Sequence, residues 1–169
     1  MANLWSPITF ETGNLSQFSS TTDNAANTSA TASGTAAKSG SYGMIVTSAE
    51  GSDANTACYG QINFTNPASS ILRVEFWWRQ DYDNNTGYDV IGNAKAIFEA
   101  GSTADGRQAL AFIDRANGNL NLCITNDSFS RVAVSGGTFT PSPDTWYRFR
   151  LILDWSGSSL SIYWGYSTD

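Results

Sequence analysis

From Tyr147 to Trp155 the side chains alternate without a break. Tyr147, Phe149, Leu151, Leu153 and Trp155 fall on one side, and Trp146, Arg148, Arg150, Ile152 and Asp154 on the other. A period of two marks a half-buried strand, because successive side chains of an extended chain point to opposite faces. Ser156-Gly157-Ser158 supplies turn chemistry. Leu160, Ile162 and Trp164 then alternate with Ser161 and Tyr163. The stretch predicts a β-hairpin with one apolar face and one face of arginines and a tryptophan.

The same period recurs upstream. Over Ile71 to Gln80, Leu72, Val74, Phe76 and Trp78 share one face, and Arg73, Glu75, Trp77 and Arg79 share the other. Gln108 to Asp114 and Asn119 to Ile124 flank Ala116-Asn117-Gly118, and Asn-Gly between two such runs is a strong hairpin signal. Shorter strands are predicted at Leu4 to Phe10 (interrupted by Pro7), Tyr42 to Thr47, Ala57 to Phe64, Tyr88 to Ile91, Lys95 to Ala100 and Val132 to Val134. Residues 19–41, rich in Ser, Thr, Ala, Asn and Gly, read as a long solvated loop holding one short strand near Thr28 to Ser33. No segment shows a helical period with caps, and no internal repeat is present. Short strands with Gly, Asn and Asp turns predict an all-β antiparallel sandwich. At 169 residues it is expected to be one domain, 1–169.

Three stretches resemble the concanavalin A-like and laminin G-like jelly rolls. Phe10-Glu11-Thr12-Gly13-Asn14-Leu15 resembles their opening strand. Ala37-Lys38-Ser39-Gly40-Ser41-Tyr42-Gly43 resembles their approach to the next strand. Asp154-Trp155-Ser156-Gly157, followed by a strand ending in Tyr163-Trp164-Gly165, resembles their late hairpin. The pieces occur in the family's order and span almost the whole chain. The resemblance implies a jelly roll; it implies no single activity, because that fold carries lectins, glycanases, lyases and structural domains. In such jelly rolls a further strand usually follows the late hairpin. Here the chain stops at Asp169: either the domain is complete with fewer strands or a neighbouring chain covers the open edge, and because an uncovered edge invites aggregation a homo-oligomer or larger lattice is the expectation.

Charge and composition remove several classes of function. A net charge of −6 argues against nucleic acid, which needs a basic footprint. No apolar run approaches the roughly 20 residues of a membrane span. The start, MANLWSPITF, shows no basic region followed by an apolar stretch, so no secretory signal is read. Cys58 is in phase with Ile62 and Phe64 and reads as buried, whereas Cys123 is out of phase with Leu120, Leu122 and Ile124. A disulfide between them is not favoured, and free thiols fit a reducing compartment.

Catalytic constellations are also missing. The chain has no histidine, which removes His-based triads, His metal ligands and the usual neutral-pH base. Glycosidases need two carboxylates flanking one bond; Glu75, Glu99 and Asp114 lie on predicted strands one at a time. Arg73-Val74-Glu75-Phe76 and Gln61-Ile62-Asn63 resemble fragments of alginate-lyase-like active strands. Their order is reversed, asparagine replaces histidine, and the final lysine is missing. No resident cofactor and no enzymatic activity are expected. Asp81, Asp83 and Asn85 offer oxygens at alternate positions of a loop, as a structural calcium requires, although an Asx-rich turn is the plainer reading.

The candidate binding surface is the polar face of the two long strands. Arg73, Glu75, Trp77 and Arg79 would join Trp146, Arg148 and Arg150 in one strip if both strands share a sheet. Such a strip fits a sugar-binding surface, a protein interface with Trp and Arg hot spots, or a layer of cross-strand ion pairs. The expectation for the whole is a non-catalytic virion structural protein, a capsid-decoration or fibre component made in the host cytoplasm, with a lectin-like jelly roll. The alternative is a carbohydrate-binding module secreted as part of a larger glycan-active enzyme.

Overall fold

The computed structural model describes residues 8–23, 28–48, 58–63, 71–79, 95–100, 111–116, 119–125, 131–142, 144–154, 156–158 and 161–168. Among these the chain is built from eleven strands and one short 3-10 turn, Gly34–Ala36, an all-β chain. The strands are β1 (Ser20–Asp23), β2 (Thr28–Ser33), β3 (Gly43–Ser48), β4 (Cys58–Gln61), β5 (Ile71–Arg79), β6 (Lys95–Ala100), β7 (Ala111–Ala116), β8 (Asn119–Thr125), β9 (Arg131–Phe139), β10 (Trp146–Asp154) and β11 (Ser161–Thr168). The chain divides into two compact units, Met1–Ser69 and Ser70–Asp169.

The first unit holds two antiparallel pairs, β1 with β4 and β2 with β3. The predicted strand near Thr28 is present, but the polar stretch around it is not one long loop, because Ser20–Asp23 pairs with Cys58–Gln61. The opening motif is a turn rather than a strand. Gly13 N–H donates to the Phe10 carbonyl at 2.8 Å, and both residues have positive φ, 61° at Phe10 and 69° at Gly13. The Gln17 amide oxygen then accepts from the N–H groups of Thr9 and Phe10. Residues 8–10 are accordingly not in a strand, and Leu4 to Pro7 lie outside the described residues.

Two motifs far apart in sequence meet here. The Glu11 carboxylate accepts the Ser41 N–H, 3.0 Å from each oxygen. It lies where a side chain on Gly40 would have to stand. The Tyr42 ring in turn covers Gly13, whose missing Cβ would sit 3.4 Å from the ring. The Glu-x-Gly of one stretch and the Ser-Gly-x-Tyr of the other therefore interlock.

The second unit has a three-stranded sheet, β11-β10-β5, and a four-stranded sheet, β6-β7-β8-β9, with antiparallel neighbours throughout. β7 and β8 pair antiparallel, with Ala116 opposite Asn119, so β7 runs two residues past the predicted Asp114; Asn117 and Gly118 lie outside the described residues. β9 runs nine residues rather than three, and its pairing with β8 shifts between Asn121 and Cys123. β11 continues past Gly165 to Thr168 instead of ending at the Tyr-x-Gly motif.

The alternation of β10 becomes the core. Tyr147, Phe149, Leu151 and Leu153 are buried, and Phe149 and Leu151 are fully so. They pack with Leu120 and Leu122 of β8 and Phe139 of β9, with Phe76, Trp78, Ile162 and Trp164 at the margin. The two sheets thus share one apolar interior. Burying each such large side chain contributes about 1.5–3 kcal/mol. Tyr147 keeps its polar end satisfied by accepting the Ser142 N–H at 2.7 Å. Cys58 and Cys123 fall on β4 and β8; their side chains are outside those described, as are Tyr88 to Ile91.

Candidate functional site

β5 and β10 are neighbours in one sheet, so the face opposite the core collects alternate residues of both. The register sets Trp146 against Arg79, Arg148 against Trp77, Arg150 against Glu75 and Ile152 against Arg73. All seven residues of the expected strip, Arg73, Glu75, Trp77, Arg79, Trp146, Arg148 and Arg150, are thereby brought to one outer face. β11 extends it: Tyr163 stands opposite Ile152, Gly165 opposite Arg150 and Ser167 opposite Arg148.

Glu75 is the hub. Its Oε1 accepts from Arg148 Nε at 2.9 Å and Nη2 at 2.5 Å. Its Oε2 accepts from Arg150 Nε at 3.0 Å and Nη2 at 2.8 Å. Hydrogen bonds from Arg148 and then Arg150 hold the Glu75 carboxyl below its ordinary value, outweighing its modest desolvation. Each tryptophan also carries a guanidinium: Arg148 Cζ lies 5.9 Å from the Trp77 ring and Arg79 Cζ 5.3 Å from the Trp146 ring. At the far end, the side chain and N–H of Ser156 keep Asp154 below the usual carboxylate range, with Arg73 adding its charge.

The cross-strand ion-pair reading is therefore realised, without closing the surface. The Arg148 and Arg150 side chains stay 43% and 61% exposed. A shallow open depression lies among Arg73, Val74, Glu75, Arg150 and Ile152. Ile152, Tyr163 and Gly165 were not among the sequence candidates. The period-two pattern already put Tyr163 on the polar side, but only the β10–β11 register shows that it and Gly165 flank Arg150.

Of the other candidates, Glu99 and Asp114 do not join this face. Glu99 and Asp114 belong to the four-stranded sheet, opposite Phe112 and Ala96, not opposite each other. Asp81, Asp83 and Asn85 lie outside the described residues. Among the described residues no group of three or more Cys, Asp or Glu could hold a metal ion, and no helix is long and apolar enough to cross a membrane, which says nothing about spanning by strands. No family model, curated protein or solved structure matches the chain, so its function is read from its own residues.

Proposed function

We propose that this chain is a non-catalytic surface-binding protein: a lectin-like, concanavalin A-like jelly roll that works by assembly and contact through the outer face of β5, β10 and β11. The observation that carries the reading is the outer face on which Arg148 and Arg150 stay exposed beside half-buried Trp77 and Trp146, with Glu75 locked between the two arginines. A carboxylate that accepts four hydrogen bonds and is held ionised binds and positions; a general acid needs the opposite, a raised affinity for its proton. The setting we infer is a virion surface, as a capsid-decoration or fibre component, which rests on the lectin-like motifs and the two dispersed cysteines. A second reading, a carbohydrate-binding module of a glycan-active enzyme, is favoured by Tyr163 and Gly165 beside Arg150.

Light scattering over a wide concentration range tests the first reading. The chain is expected to associate, and the double substitution Arg148→Glu/Arg150→Glu is expected to weaken association. A glycan array run with calcium and again with chelator tests the second. A monomer with a blank array in both conditions overturns both readings. Sugar binding lost only on chelation assigns Asp81, Asp83 and Asn85 the calcium role that the sequence offers them.

A further inference from the structure

Charge is unevenly placed in this molecule. Four of its nine basic residues, Arg73, Arg79, Arg148 and Arg150, and only two of its fifteen acidic ones, Glu75 and Asp154, stand on the outer face of β5 and β10. That face carries +2, whereas the rest of the chain carries −8. A guanidinium has five N–H donors, and Glu75 engages Nε and Nη2 of each clamped arginine. The clamp therefore fixes the two forks in place and leaves donors over for an anion.

Beside Arg150 the surface opens. Among the described residues, a Cβ built on Gly165 meets nothing within 4 Å, so the place of one side chain is clear down to the backbone. Glycine inside a strand weakens it and often marks a bulge, a bend or a close approach by a ligand or another backbone; the β10–β11 register runs through Gly165 without a bulge. Along β11 this notch is flanked by Ser167 and by Tyr163, which is 59% exposed. Trp77 and Trp146 are half-buried and carry guanidinium groups, so Tyr163 is the open ring of the face.

We propose that the notch formed by Tyr163, Gly165 and Arg150 binds an acidic sugar, with the ring of a uronate or sulfated residue lying over Gly165 against Tyr163 and its anionic group on the Arg150 guanidinium. Arg148 continues the positive charge along the face for the next residue of a polysaccharide. A flat ring, hydroxyls and an acid match the stacking surface, the Ser167 hydroxyl and the cation together; an acidic peptide would use the arginines but has no need of the notch. The inference rests on the outer face being the binding surface.

The test is calorimetric titration of the full chain with alginate, dextran sulfate, neutral dextran and polyglutamate, at about 50 and about 300 mM salt, a range over which screening sets in. Alginate and dextran sulfate are expected to bind, less tightly at the higher salt, with neutral dextran and polyglutamate at least about tenfold weaker. Arg150→Gln should weaken binding about tenfold, the worth of one charge-assisted contact, and Gly165→Val by at least as much, because its side chain would fill the place of the sugar ring. Valine at 165 meets open space and suits a strand, so circular dichroism should show both variants folded. Equal binding of polyglutamate overturns the sugar but keeps the face as a binding surface. Binding of neutral dextran that Gly165→Val abolishes and Arg150→Gln does not overturns the acidic class. Binding that neither variant changes removes the site. Silence on all four probes, with self-association that Arg148→Glu/Arg150→Glu abolishes, overturns this inference alone; silence from a monomer overturns this inference too, and the proposed function falls with it only when the glycan array is also blank with calcium and with chelator.

Discussion

At Glu75 the two carboxylate oxygens are divided between neighbours, Oε1 serving Arg148 and Oε2 serving Arg150. The folded chain therefore holds this carboxyl below its ordinary value of 4.5. A depressed folded-state value means that the clamp contributes stability above pH 4.5 and loses it as the pH falls through the folded value. With the side chain 38% exposed, the contribution stays below about 1 kcal/mol. Carboxyl-carbon NMR should give Glu75 a midpoint below 4.5, moved up by Arg148→Ala; a wild-type midpoint at or above 4.5 is incompatible with the clamp. Gly40 makes a sharper residue-scale prediction. Its φ of 75° suits glycine, and a Cβ there would come within 2.1 Å of Glu11 Oε1. Gly40→Ala should cost about 1–3 kcal/mol in urea unfolding. Part of that cost belongs to Glu11, which must release Ser41 to make room, so Gly40→Ala should cost less in a Glu11→Ala background. Additive effects in that double-mutant cycle would show that the carboxylate does not sit over Gly40.

β10 places a core and a candidate site on its two faces, and substitution at adjacent positions separates them. Phe149→Ala removes a fully buried ring that lies 5.3 Å from Phe76 and 5.8 Å from Phe139, and should cost about 3–5 kcal/mol. Arg150→Ala, one residue on, should cost under about 1 kcal/mol. Comparable urea midpoints for the two variants would contradict the facing assignment. The facing itself was legible, because an unbroken alternation from Tyr147 to Leu153 has one solution: the apolar set goes in and the arginines go out. So was the pairing of β7 with β8, which Asn-Gly between two alternating runs signals. The opening turn was not, because it depends on a positive φ at Phe10, a conformation that nothing in a phenylalanine announces. Nor was β1, whose four polar residues find their partner strand near Cys58, beyond any local pattern. The strip was legible as residues but not as a site. Arg148 and Glu75 are separated by 73 positions, and only pairing β5 with β10 turns two alternating patterns into one surface. Tyr163 and Gly165 were likewise visible, yet without meaning until β11 set them beside Arg150.

Across the whole molecule the division into Met1–Ser69 and Ser70–Asp169 determines how damage should spread. Units with their own contacts open with their own free energies unless the contacts between them are large and apolar. The tryptophans make this measurable: five of the six, Trp77, Trp78, Trp146, Trp155 and Trp164, belong to the second unit, and only Trp5 to the first. Tryptophan emission therefore follows the unit that carries the Arg/Trp face of β5 and β10, while far-ultraviolet circular dichroism follows both. Gly43 supplies a lesion confined to the first unit. A Cβ there would sit 2.0 Å from the Ala36 carbonyl oxygen and 2.6 Å from its carbon, backbone atoms that cannot rotate aside as a side chain can. Gly43→Ala should thus pry the start of β3 from the 3-10 turn that lies between β2 and β3. In urea the expected result is an earlier circular dichroism transition with the tryptophan midpoint unmoved, and Phe149→Ala should move the tryptophan midpoint. If both variants shift both signals together, the chain unfolds as one cooperative body, and the outer face of β5, β10 and β11 then depends for its stability on the turn motifs of the first unit.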